Sequence, residues 1–438
     1  MTTPATRPHT TPFATVDLDE LGRLVGPGGH PVPSAKVRAR LARTLRVPDW
    51  ATDIYVYVHG WQTGPAAALR RAEELFALVH AQHARHGEHY PRLQAFRPWG
   101  VVVRWPSSSL PTLAGYRRIR DRAHAMSAND TGHAPHVLAH LLGYLDGERS
   151  KPGPDLLKTR RGQFLHLVGH SFGGRFLCEA VSRAARPRGP AVAGWGAPGP
   201  ARHPFTVDSM VIFQMAAPRD CFTDLFPDLL PAPADAFGPP EPADARPDAP
   251  SDAPPDAPSD APPDTPTGAP GHGPSGAPPD TPTGAPGHGP SGAPPDTPSG
   301  APGHGPSGAP LHAPSGAPMH GAPSGAPRHD APSGAPMHGP IVLTYSRFDR
   351  ATGFWHLRAE RAAGIGHSGV GVAPVPVSSL RLLPVDTPYR AAMLDHRLVS
   401  VDSSWRYNSG RLSPARAHSD FAHPETAHLL LNLADLSR

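Results

Sequence analysis

The chain alternates short runs in which nearly every residue is apolar with longer stretches in which apolar positions recur every three or four residues. "DIYVYVHG" carries a β-branched and aromatic run from Ile54 to Val58 before a glycine turn, and "GVVVRWPSS" carries another from Val101 to Trp105. "FLHLVG" leads into Ser171, and "SMVIFQMAAP", "IVLTYSRFD" and "HRLVSVDSSWRYN" supply further runs, the last two reading as the next-to-last and last strands. Runs of this kind bounded by Gly and Pro predict strands buried on both faces. Between them lie helical patterns: "AALRRAEELFALVHAQHARHG", a region from about Leu113 to Glu148 with a break near Asp130, and a closing "PETAHLLLNLADL". In "FGGRFLCEAVSRAAR" the residues Phe172, Phe176, Leu177, Ala180, Val181 and Ala184 mark one buried helix face. This alternation predicts an α/β fold with a mostly parallel central sheet flanked by helices.

The segment 1–49 is poorer in signal. "TVDLDELGRLVG" and "SAKVRARLARTL" each fit a short helix, or a strand and helix, beside the sheet, and the second also fits a solvated basic helix. Part of this segment is expected to be disordered.

One block breaks the alternation. The chain has 61 prolines and 45 glycines, and from Pro231 to Pro340 almost every residue is Pro, Gly, Ala, Ser, Asp, Thr or His. The unit "TPTGAPGHGPSGAPPD" begins at Thr265 and returns at Thr281, and its first fourteen positions recur from Thr297 with one substitution. Solenoid repeats stack apolar surface on their neighbours, and these units bring none, so an extended, disordered insertion is expected. Its histidines, such as His272, His288 and His304, read as passengers set by the repeat. The expected organisation is thus one discontinuous domain, 50–230 and 341–438, interrupted between two strands of one sheet by 231–340. Such an insertion is thermodynamically tolerable, because loop closure costs only about 0.6 kcal/mol per doubling of length.

Charge excludes some classes. The formal net charge is +4, and arginine clusters such as "GYRRIRDRAH" mix signs like a solvated helix face, so nucleic-acid binding is not implied. No apolar stretch of about 18 residues occurs, so no stable membrane insertion is expected. The N-terminus lacks the apolar core of a signal peptide, and Cys178 and Cys221 are too few for a disulfide framework, so a cytoplasmic location is the expectation. Phosphate-cradling and kinase motifs are missing, which argues against phosphoryl transfer. The histidines of "HAQHARHGEH" (His80, His83, His86, His89) and "GHAPHVLAH" (His133, His136, His140) read as solvated helix positions without an accompanying carboxylate set, so no metal site is expected.

The most specific chemistry lies in "LHLVGHSFGGRF". The pattern G-x-S-x-G follows an apolar strand and opens an amphipathic helix, and Gly169 and Gly173 remove side chains that would clash in the strained turn exposing the Ser171 hydroxyl.

Here the chain resembles the α/β-hydrolase superfamily, in particular its esterase and lipase-like serine hydrolases. The resemblance spans about Trp50 to Leu230 and Ile341 to the C-terminus. It implies a base, an orienting acid and an oxyanion hole around Ser171, in the chain order Ser, acid, His. It assigns the base to His418 in "ARAHSDFAHPETAHLLL", with His423 and His367 as alternates. The acid is assigned to Asp349, with Asp220 as the alternate. "YVYVHGW" places the oxyanion donors at the Trp61 and Phe172 N–H groups, Gln62 being the runner-up for the first. The expected activity is hydrolysis of an ester-type bond in a small-molecule acyl substrate, with no cofactor and no metal. Trp61, Phe172 and Phe226 suggest an apolar acyl pocket, and each equally fits a core position. The rival reading is a catalytically inactive fold of the same kind, used as a binding scaffold with the proline-rich block as its arm for a protein partner.

Overall fold

A computed structural model describes residues 10–127, 131–149, 162–185, 205–226, 229–230, 337–409 and 416–438. The expectations about the 231–336 block and its repeats therefore lie outside the described residues.

In chain order the elements are β1 (Phe13–Asp17), α1 (Val37–Thr44), β2 (Asp53–Val58), α2 (Pro65–His86), β3 (Pro98–Arg104), α3 (Leu113–Ser127) and α4 (Ala134–Glu148). There follow β4 (Phe164–His170), α5 (Phe172–Ala185), β5 (Ser209–Phe213), α6 (Cys221–Asp224), β6 (Ile341–Tyr345), α7 (His356–Glu360) and α8 (Ile365–Ser368). The chain closes with β7 (Val377–Arg381), α9 (Ala391–Leu394), β8 (Leu398–Asp402) and α10 (Pro424–Leu436).

The eight strands form one sheet in the order β1-β3-β2-β4-β5-β6-β8-β7, and every described pairing is parallel. The central strands are mostly apolar because both faces are covered, although Asp53, His166 and Ser209 are buried among them. Side chains alternate: Ile54, Val56 and Val58 join one buried cluster with residues of α1, α3, α4 and α5, while Tyr55 and Tyr57 join the other with residues of α2 and α10. On α2 the buried positions Ala68, Ala72, Leu75, Phe76 and Val79 follow the helical period, and Pro65 stands at the first turn, where its missing N–H is harmless. No helix among the described residues is long and apolar enough to cross a membrane.

β5 and β6, which flank the low-complexity block in the chain, are sheet neighbours paired Met210 to Ile341, and the described residues on both sides of the block belong to one unit. The weak N-terminal patterns resolve into an edge strand, β1, and a helix, α1. That helix buries Val37 and Leu41 against the fold and turns Arg38 and Arg43 outward, so it is amphipathic rather than wholly solvated.

The sequence pattern does not reveal β7. Its run "VSSLR" sits at the sheet edge with no residue fully buried, so hydrophobic alternation is faint. As a result β6 is not the next-to-last strand in the chain, although it lies directly beside the last one, β8, in the sheet.

Candidate active site

Parallel strands deliver their following loops to one edge of a sheet, and the β4–α5, β6–α7 and β8–α10 connections meet there. Ser171 is the single residue between β4 and α5. Its φ is +54°, a left-handed conformation that costs an L-residue energy and turns the side chain out of the strand direction. The turn is held by the Ser171 N–H donating to the Phe213 carbonyl (2.9 Å) and by the Ser171 carbonyl accepting from the Gly174 and Arg175 N–H groups. A side chain on Gly173 would collide with the His59 carbonyl, and a Cβ on Gly60 would stand 2.7 Å from the Ser171 Cβ. Glycine at these two positions lets the 59–61 turn lie directly against the serine turn.

His418 sits in a single 3-10 turn ahead of α10, and Asp349 in the turn after β6. His418 Nδ1–H donates to Asp349 Oδ2 (2.8 Å), which leaves His418 Nε2 to accept from the Ser171 hydroxyl (2.6 Å). The other Asp349 oxygen accepts from the Thr352 N–H (3.1 Å). All three side chains are buried. The arrangement can take a proton from Ser171 onto His418 while the Asp349 carboxylate holds the imidazole in the required tautomer.

Two buried residues that the sequence reading passes over hold this array. Gln214, at the end of β5 with φ +47°, donates through Nε2 both to Asp349 Oδ2 (3.2 Å) and to the Ala417 carbonyl (2.8 Å), so it ties the acid to the histidine loop. His170 donates through Nε2 to the His418 carbonyl (2.8 Å). Burial, and next the adjacent His418, push the pKa of His170 well below the ordinary histidine value, so it is neutral. Nothing in the pattern around Gln214 marks it; for His170, adjacency to Ser171 is the one available signal.

His59 is also buried and neutral, its pKa lowered to about 4 by burial. It accepts from the Trp105 N–H and fixes the turn that follows β2. The Gln62 N–H is taken up by the Ser107 carbonyl (3.0 Å), which removes the runner-up oxyanion donor. Among the described residues neither the Trp61 nor the Phe172 N–H has a hydrogen-bond acceptor.

The alternates lie elsewhere. Asp220 is exposed and accepts from the Val372 N–H (2.8 Å). His423 precedes α10 and pairs with Asp420 (2.9 Å). His367 donates to the backbone carbonyl of Asp349 (3.1 Å) rather than to a carboxylate.

Of the two readings open for Trp61, Phe172 and Phe226, acyl pocket or core, the structure favours the core: all three are buried in the hydrophobic cluster, with Trp61 also reaching the edge of a cleft. This cleft of about 360 Å³, bounded by Trp61, Gln62, Arg71, Arg416, Ser419 and Asp420 among others, next in the chain to Gly60 and His418, is lined mainly by polar side chains. The reading of the His80–His89 stretch as lacking a carboxylate is corrected. Glu88 stands with His86 and His89, and they form the one set of three such side chains among the described residues close enough to share a metal ion.

Comparison with models of known protein families, with curated proteins and with solved structures gave no match to this chain.

Proposed function

We propose that the protein is a serine hydrolase of the esterase type, built on an α/β-hydrolase-like fold. The observation that carries this reading is the continuous hydrogen-bonded chain from Ser171 through His418 to Asp349, with the serine in a strained turn between strand and helix. In this mechanism His418 removes the Ser171 proton as the hydroxyl oxygen attacks the ester carbonyl. The oxyanion that forms accepts from the Trp61 and Phe172 N–H groups. His418 then protonates the leaving alcohol. Water, deprotonated by the same imidazole, releases the acid from the acyl-enzyme and restores Ser171. The proposed substrate is a small acyl ester; the proposed location is the cytoplasm, in keeping with two buried free thiols.

The complete burial of Ser171 favours a second reading, a non-catalytic scaffold whose proline-rich block recruits a protein partner. The two separate in an assay of purified protein on short-chain p-nitrophenyl esters beside Ser171→Ala. Turnover lost in the variant supports the hydrolase. A wild-type rate no higher than that of the variant supports the scaffold.

A further inference from the structure

α2 ends at His86, and Glu88 and His89 occupy the single 3-10 turn, Gly87–His89, that follows it. The donor atoms of these three side chains all lie within 4.8 Å of one another. Glu88 Oε1 is 3.7 Å from His86 Nδ1 and 3.8 Å from His89 Nε2, and the two imidazole rings face each other with centroids 5.4 Å apart.

These separations are too long for hydrogen bonds. Bonds of about 2.1 Å at the tetrahedral angle hold donor atoms roughly 3.4 Å apart, and the two carboxylate–imidazole pairs come within a few tenths of an ångström of that. Two imidazoles and one carboxylate form a borderline donor set that favours Zn²⁺ and its first-row neighbours over Ca²⁺ or Mg²⁺, which prefer oxygen alone. His86 and His89 are partly exposed, at 24% and 18%, so an ion from solvent can reach them. The His89 ring is also packed against Tyr90 and His428, which limits its motion. One turn earlier His83 is engaged with the Leu93 carbonyl and does not join the set.

We propose that His86, Glu88 and His89 bind one divalent transition-metal ion of the zinc type, with solvent completing its coordination. The three residues lie at the opposite end of α2, a helix of 22 residues and so about 33 Å long, from the Trp61 turn. The ion pins the end of α2 to the next turn, and Tyr90, which shares a 2.6 Å hydrogen bond with His428, extends that clamp to α10.

The test is a calorimetric titration of Zn²⁺ into untagged, full-length, chelator-stripped protein, beside His86→Ala/His89→Ala and Glu88→Gln. Because the chain has 27 histidines, the readout is the difference between proteins rather than total binding. Wild type should show one site that the double variant lacks and that Glu88→Gln weakens at least tenfold. Identical titrations of wild type and a folded double variant would overturn the proposal. Should the double variant misfold, Glu88→Gln decides alone, since that side chain is 67% exposed and the exchange keeps its size, so little effect on folding is expected. Unchanged Zn²⁺ affinity there would equally overturn the site.

Discussion

The Nε2 atom of His418 stands 2.6 Å from the Oγ of Ser171 although 247 residues separate the two in the chain. β4 and β8 make this meeting possible. They run parallel in one sheet, with β5 and β6 between them, so the loops that follow both emerge at the same edge. Asp349, on the loop after β6, reaches the same point.

Asp349→Asn leaves the shape of the array but reverses its hydrogen-bond logic, because an amide NH₂ facing His418 Nδ1 favours the tautomer that cannot accept from Ser171. The expected result is a loss of kcat on the order of 10³–10⁴-fold with little change in KM, read from ester hydrolysis under saturation. A loss below tenfold would remove Asp349 from the mechanism.

Gln214→Ala removes the donor that Asp349 and the Ala417 carbonyl share. About 1.4 kcal/mol of lost positioning corresponds to roughly tenfold in kcat/KM. Because Gln214 acts through Asp349, the double variant with Asp349→Asn should be no slower than Asp349→Asn alone. Additive losses would mean that the two residues act separately.

Gly173→Ala places a methyl group against the His59 carbonyl. Relieving the overlap requires a backbone shift costing about 1–3 kcal/mol, so the melting temperature should fall and turnover should fall with it. A variant as stable and as active as wild type would show that the 59–61 turn does not rest on the serine turn.

Acid should weaken the fold through His59 and His170. Burial holds both neutral in the native state, His59 down to about pH 4, whereas in the unfolded chain they protonate below about 6.5. The unfolded state therefore binds more protons across that window, and this part of the stability, fully present above pH 6.5, is lost progressively toward pH 4. Melting temperatures measured from pH 7 to 4 should drop less in His59→Gln than in wild type; parallel curves would count against it.

Strands buried on both faces were plain in the sequence, because β2 through β6 and β8 lie inside the sheet and are built mainly from apolar, β-branched and aromatic residues. β1 and β7 were not, since edge strands have one neighbour and half-covered side chains, and runs such as "VSSLR" carry little periodicity. Ser171 was legible because its turn demands small neighbours at fixed spacing. Chain order alone left Asp349 and Asp220 open, and Asp349 was preferred as following the next-to-last strand, although β7 intervenes between β6 and β8; the structure brings Asp349 and His418 within hydrogen-bond reach of each other. Gln214 was illegible for the opposite reason: one glutamine at a strand end carries no pattern, and its contacts depend on loops from β6 and β8. The aromatic residues around the serine stayed ambiguous in the sequence, because a core and an acyl pocket select the same side chains and only burial separates them.

The most direct test of the central claim is covalent labelling of the purified protein by a fluorophosphonate, with the modified residue located by peptide mass. An activated nucleophile predicts one equivalent of label on Ser171, absent from Ser171→Ala and strongly slowed in His418→Ala. Folded wild-type protein that takes up no label, or takes it up equally in Ser171→Ala, would contradict the account.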